Sequence, residues 1–166
     1  MKKTKHPHSP LIRHCRVKMR TKIPPPIVTL IFGLIIFFSK SLFPICNFDN
    51  SNYVSLIFLI FGFFILITAV KSFKKYQTTI NPLNPDQASS LVNSGIFGFT
   101  RNPMYLGMLL ILMSISFKFN ILGGILICFL FKIYITRFQI IPEEEAMEKI
   151  FGKDFVEYKK KVRRWI

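Results

Sequence analysis

The sequence predicts an all-α, polytopic membrane protein with about four transmembrane helices, the last two a hairpin, and then an amphipathic helix on the cytoplasmic side. Three observations carry that prediction. The 166-residue chain is 51% apolar, and its 19 phenylalanines gather in long runs. It carries 23 Lys+Arg against 8 Asp+Glu, a formal net charge of +15. Nearly all of those charges stand outside four apolar runs. A soluble nucleic-acid binder can be this basic, but its phenylalanines are not collected into runs, so nucleic acid is not an expected partner. A membrane protein with basic flanks accounts for both properties together.

The elements follow in order. Residues 1–22 hold eight Lys/Arg and the stretch "HPHSP", which predicts a basic cytoplasmic arm beside anionic headgroups. His6, His8 and His14 belong to that arm, and no metal site is expected from them. The first apolar run, 23–39, is "IPPPIVTLIFGLIIFFS". Its prolines suit a helix entrance, where a missing N–H does little harm. The following "SKSLFPIC" is a poor cleavage site, so the helix is expected to be retained. The second run, 53–70, has 18 residues without a charge. Crossing a hydrocarbon core of ~30 Å takes about 20 residues, so this run is long enough. The third and fourth runs, 104–117 and 121–135, are shorter and joined only by "KFN", which predicts a helical hairpin.

Charge orients these helices. The 40–52 connection carries only Lys40, and the 118–120 turn only Lys118. Residues 71–103 carry Lys71, Lys74, Lys75 and Arg101, and eight Lys/Arg follow from Arg137 onward. Basic loops stay inside, so both ends and the 71–103 segment are expected in the cytoplasm. Lys132 lies inside the fourth run, where a long side chain would snorkel toward the helix end. Cys15, Cys46 and Cys128 show neither metal nor redox spacing. The chain divides into the arm, 1–22, and one domain, 23–166.

Chemistry on a water-soluble group must draw on the two polar segments, 71–103 and 136–166. In the first, Asn81-Pro82 and Asn84-Pro85 signal turns, and Asp86, Ser89 or Ser90 would cap a helical turn. Gly95 and Gly98 free the backbone. Asn102-Pro103 predicts an N-cap and first residue for the third helix, whose positive end suits an anionic or lone-pair-rich group. In the second, Pro142 followed by Glu143-Glu144-Glu145 predicts a helix start. A helical apolar stripe then runs through Met147, Ile150, Phe151, Phe155, Tyr158, Val162 and Trp165, with lysines mostly off it and Gly152 a bend. By itself this stripe describes a basic amphipathic helix on a membrane surface.

The stretches "LVNSGIFGFTRNPMYLG" and "PEEEAMEKIFGKDFVEYKKKVRRWI", with a hairpin between them, resemble the isoprenylcysteine carboxyl methyltransferase family, within the wider group that includes the phospholipid methyltransferases. The first part of the pattern is Gly95, Phe97, Arg101, Asn102, Pro103 and Tyr105. The second is Glu143, Glu144, Met147, Phe151, Gly152, Phe155, Tyr158 and Val162. The resemblance covers 76–166. It implies S-adenosyl-L-methionine as cofactor. The implied contacts are Ser90, Leu91, Val92, Phe97, Arg101, Asn102, Pro103, Met104, Tyr105 and Glu143. Many relatives carry His where this chain has Asn102, which does not titrate near neutrality. Animal-type relatives carry Arg where this chain has Gln139.

The activity so implied is methyl transfer in the membrane to a lipophilic acceptor, either an isoprenylcysteine-type carboxylate or a lipid headgroup. A carboxylate acceptor needs no base, whereas an ammonium acceptor would lose a proton first, with Glu144 as the expected base. Arg137 and Arg164 would hold an acidic acceptor or a lipid phosphate. The competing expectation is a small non-enzymatic membrane anchor whose basic tail binds anionic lipid or an acidic partner.

Overall fold

The computed structural model describes residues 23–44, 49–75 and 91–166. The basic arm with its histidines and Cys15, Cys46, the turn signals at 81–86 and Ser90 lie outside the described residues. Helix α1 (Pro25–Phe38) is extended by a 3-10 turn, Ser39–Ser41, and followed by α2 (Ser51–Lys75). A second 3-10 turn, Gly95–Gly98, leads into α3 (Pro103–Phe119) and α4 (Ile121–Ile135). A π-helical turn, Thr136–Ile140, then connects to α5 (Ile141–Phe151) and α6 (Lys153–Lys161). Among the described residues the fold is all-α, as predicted.

Two helices are long and apolar enough to cross a membrane, Ser51–Lys75 and Ile121–Phe151. Pro25–Ser41 and Pro103–Phe119 are apolar but shorter. The first four helices run alternately up and down. At one end, Asn120 Nδ2 donates to Ser39 Oγ at 3.2 Å, and Lys118 Nζ donates to Asn52 Oδ1 at 2.9 Å. That end therefore gathers the close of α1, the start of α2 and the α3–α4 turn. At the other end, Gln139 Nε2 donates to the Ile23 carbonyl at 3.0 Å, and the Phe73 and Phe97 rings meet edge to face at 5.1 Å. That second end gathers the start of α1, the close of α2, the loop before α3 and the π turn.

Helix α3 sits in the middle, packed on α1, α2 and α4. Its side chains Tyr105, Leu106, Met108 and Leu112 are buried. The α2–α3 crossing is made by glycines. A Cβ on Gly107 would stand 2.9 Å from the Gly62 carbonyl oxygen, and one on Gly62 would stand 3.0 Å from that of Gly107. Ser55 Oγ adds a hydrogen bond to the Ser114 carbonyl at 2.9 Å. Small residues and interhelical hydroxyls hold helices where lipid removes the hydrophobic drive between them. Helices α1, α2 and α4 turn large apolar side chains outward, among them Leu30, Phe61, Phe64 and Phe129. In water such a surface would be a liability, whereas in hydrocarbon it is the expected exterior.

Two expectations are corrected. Pro142 does not begin a helix, because Ile121–Phe151 is continuous. Proline offers no N–H to the carbonyl four residues back and crowds it. The π-helical turn Thr136–Ile140, immediately before it, widens the ladder where that mismatch falls. The amphipathic stripe is also not wholly a surface stripe, although Ile150 stays exposed. Phe155, Tyr158 and Val162 are buried against Leu91, Met147 and Phe151. The bend expected at Gly152 is there, with φ +54 separating α5 from α6.

Candidate functional site

The described polar motif residues converge at the second end of the bundle. Gly95 takes φ +62 at the start of the turn Gly95–Gly98, a conformation that suits glycine. The turn drives the Phe97 ring inward, where it packs with Ala69, Val92, Phe73 and Met104. Tyr158 Oη donates to the Phe97 carbonyl at 2.6 Å and ties α6 to this turn. Burial pushes the Tyr158 phenol well above its usual range, so it stays a donor through alkaline pH. The aromatic and apolar members of the motif therefore form a buried apolar layer, with Leu91 packed against α6.

Pro103 opens α3 as predicted, and Asn102 occupies the N-cap position. Its side chain does not cap the helix. Instead Asn102 Nδ2 donates to the Arg164 carbonyl at 2.9 Å. One turn on, Tyr105 Oη donates to Glu143 Oε1 at 2.5 Å. This bond joins the two halves of the sequence pattern across the hairpin, 38 residues apart.

The neighbouring carboxylate is occupied differently. Glu144 Oε1 accepts from Arg101 Nη2 at 2.8 Å and from Arg164 Nε at 3.1 Å. Its Oε2 accepts from Arg164 Nη2 at 2.6 Å. The Arg101 and Glu144 side chains are only 10% and 12% exposed, so this pair counts as interior. The hydrogen bond that Arg164 donates to Glu144 also raises the pKa of Arg164, which stays charged. Arg101 Nη1 further reaches the Lys159 carbonyl at 3.3 Å, while Arg101 Nε is buried without a hydrogen-bond partner among the described residues.

Arg137 stands exposed on the π turn and is not among the residues that bond Glu144. Gln139 is 1% exposed and braces the start of α1. Lys132 is exposed and lies over the Trp165 ring at 5.6 Å, at the same end of α4. Among the described residues no cluster of metal-ligating side chains occurs.

Residues 51–154 match the family model for phospholipid methyltransferase. The chain belongs to the phospholipid methyltransferase family. The match begins at the first residue of α2, upstream of the region that carried the sequence resemblance. It takes in the loop, the hairpin and both glutamates. A Haemophilus influenzae protein, described only as uncharacterized, is 40% identical over 63 residues, which is 38% of this chain and the whole of that protein. No solved structure matches the chain. Membership in the phospholipid methyltransferase family makes methyl transfer the general activity, and the apolar helices fit a membrane setting.

Sequence reasoning gives no role to Thr100, which is 1% exposed and donates to the Arg164 carbonyl at 3.3 Å. Its place directly before the Arg-Asn-Pro triplet is the available signal. It also reads Tyr158 as packing alone. The hydroxyl at the edge of an apolar stripe, opposite a glycine-rich loop, is the signal for its second role.

Proposed function

We propose that this phospholipid methyltransferase family member is a multi-pass membrane enzyme that uses S-adenosyl-L-methionine to methylate a lipophilic acceptor. The acceptor classes in view are an isoprenylcysteine-type carboxylate and a lipid headgroup. One observation carries the reading. Glu144 is held by two guanidiniums, whereas Glu143 accepts from Tyr105 and has no ion pair among the described residues. A half-buried carboxylate without a cation is costly unless a ligand supplies one.

S-adenosylmethionine fits that donor set, since it carries a sulfonium and an ammonium, and when bound it supplies an electrophilic methyl group. Glu143 would hold the positive charge, and Tyr105 fixes the orientation of that carboxylate. Arg101, Asn102, Pro103 and Met104 form the adjoining wall, and the positive end of α3 suits a carboxylate. Leu91, Val92 and Phe97 supply the apolar floor, with Ser90 next to them in the chain. Glu144 acts through its clamp, as a positioning residue, because both its oxygens are engaged. Arg137, exposed at the same end, is placed to meet an acidic acceptor or a lipid phosphate. Alignment and exclusion of water at the end of an apolar bundle would supply most of the acceleration, up to roughly 7–11 kcal/mol from proximity.

In this reading α1 to α4 cross the bilayer and the site end faces the cytoplasm. Lys71, Lys74, Lys75 and the basic residues of α5, α6 and beyond lie at that end, against Lys40 and Lys118 at the other. The test is calorimetric binding of S-adenosylmethionine to the protein in nanodiscs, followed by transfer of a labelled methyl group in native membranes. Wild type is expected to bind, and Glu143→Ala and Tyr105→Phe to weaken binding by about tenfold or more. Label in an organic-soluble lipid, or in a base-labile protein ester, identifies the acceptor class. A wild-type protein that binds no cofactor, or variants that transfer methyl groups as wild type does, would overturn the reading.

A further inference from the structure

Helix α6 ends at Lys161, and Val162 is extended, with φ −121 and ψ 133. Peptide groups in such a segment need partners from elsewhere in the fold. The carbonyls of Arg163 and Arg164 find them on the loop before α3, and the Arg164 and Trp165 side chains find partners on α5 and on the π turn next to it. On the loop before α3, the Arg101 amide donates to the Arg163 carbonyl at 3.0 Å. Thr100 Oγ1 and Asn102 Nδ2 both donate to the Arg164 carbonyl, at 3.3 and 2.9 Å. On α5, the Arg164 guanidinium takes both oxygens of Glu144. On the π turn, Thr136 Oγ1 accepts from Trp165 Nε1 at 3.2 Å.

These three elements carry Arg101 and Asn102, Glu143 and Glu144, and Arg137. Without residues 163–165, the buried Thr100 hydroxyl and the Asn102 amide lose an acceptor, and Glu144 loses one of its two cations. The loop would then hold to α5 through Arg101–Glu144, with Tyr105–Glu143 joining α3 to α5 and with Tyr158 and Lys159 still meeting the loop from α6. The family match ends at residue 154, so this segment lies beyond it.

We propose that residues 162–165 form a strap that holds the loop before α3 against α5, with Asn102 and Arg164 as its positioning residues. Its consequence for the cofactor rests on the function proposed above. A docked strap fixes the Tyr105–Glu143 pair, and an undocked one loosens it. Asn102 then has a role that needs no titration.

The test uses the full chain in nanodiscs. Trp165 is the sole tryptophan, so its fluorescence reports the strap directly. Asn102→Ala and Arg164→Gln are expected to raise acrylamide quenching of Trp165 and to speed hydrogen exchange of the 95–102 amides by about tenfold, with helix content unchanged. Arg164→Lys should restore part of the protection, and Lys160→Ala, on the exposed face of α6, should move neither readout. In Arg164→Gln the KM for S-adenosylmethionine should rise about tenfold. If Arg164→Gln does not fold, Asn102→Ala gives the same readouts from the loss of one neutral hydrogen bond. A shielded Trp165 with unchanged loop exchange in Asn102→Ala would overturn the strap. Raised quenching and exchange with an unchanged KM would overturn the positioning role. A wild-type protein that does not use S-adenosylmethionine removes the proposed function, and quenching and exchange then decide the strap by themselves.

Discussion

Glu143 and Glu144 are neighbours with the same side chain and opposite circumstances. Glu144 meets two guanidiniums, and Glu143 meets a phenol. The run of glutamates was legible in the sequence as a place for chemistry. Which carboxylate was clamped was not, because Arg101 and Arg164 reach Glu144 from 43 and 20 residues away. The clamp has a measurable consequence. Glu144→Gln removes the charge facing Arg101, whose side chain is 10% exposed. Stripping one partner from an interior ion pair leaves the other uncompensated, so the loss in stability should be about 3 kcal/mol. Glu148→Gln breaks only the more open pair with Lys159, whose side chains are 30% and 44% exposed. Exposed pairs are worth less than about 1 kcal/mol. Denaturant titration of the two variants in mixed micelles checks the contrast, and equal losses would count against the clamp.

At the scale of elements, the apolar periodicity located the helices well. The predicted fourth run, 121–135, has the bounds of α4, and the third falls inside α3. The reading was weakest where two local signals compete. Pro142 with three acids behind it looks like a helix start, yet the π turn before it lets the helix run through. The α2–α3 crossing is likewise invisible in sequence, since Gly62 and Gly107 sit in different runs. Gly107→Ala places a methyl 2.9 Å from the Gly62 carbonyl oxygen and 2.8 Å from Leu66 Cγ. Backbone cannot yield there as a flexible side chain would, so α2 must move off α3, with a cost of about 1–3 kcal/mol. Gly98→Ala, whose added methyl would stand 4.0 Å from the Asn93 carbonyl oxygen, serves as the control. A lowered unfolding midpoint for Gly107→Ala alone is the expected result.

At the scale of the whole molecule, an apolar bundle carries one weakly charged end and one strongly basic end. The outward phenylalanines of α1, α2 and α4 are expected to lie in lipid. The two ends should therefore be reachable from opposite sides of the membrane. With the three native cysteines replaced, Ser41→Cys should react with an impermeant thiol reagent on intact cells. Asn93→Cys should react only after permeabilisation. Both positions are exposed. Labelling of both from one side would contradict four crossings.

The sequence by itself determined the helical class, the apolar lengths, the basic asymmetry and the two motif halves. These follow from local periodicity and composition, which need no knowledge of what lies across the bundle. The tertiary structure alone decided how the halves meet. It turned Phe97 inward, left Glu143 without an ion pair among the described residues, closed Glu144 between two arginines and brought residues 163–165 back over the loop. Each of those outcomes is a long-range pairing of a polar group that would be costly to leave unsatisfied. Such pairings are fixed by where the backbone places distant segments, and no window of the sequence contains both partners.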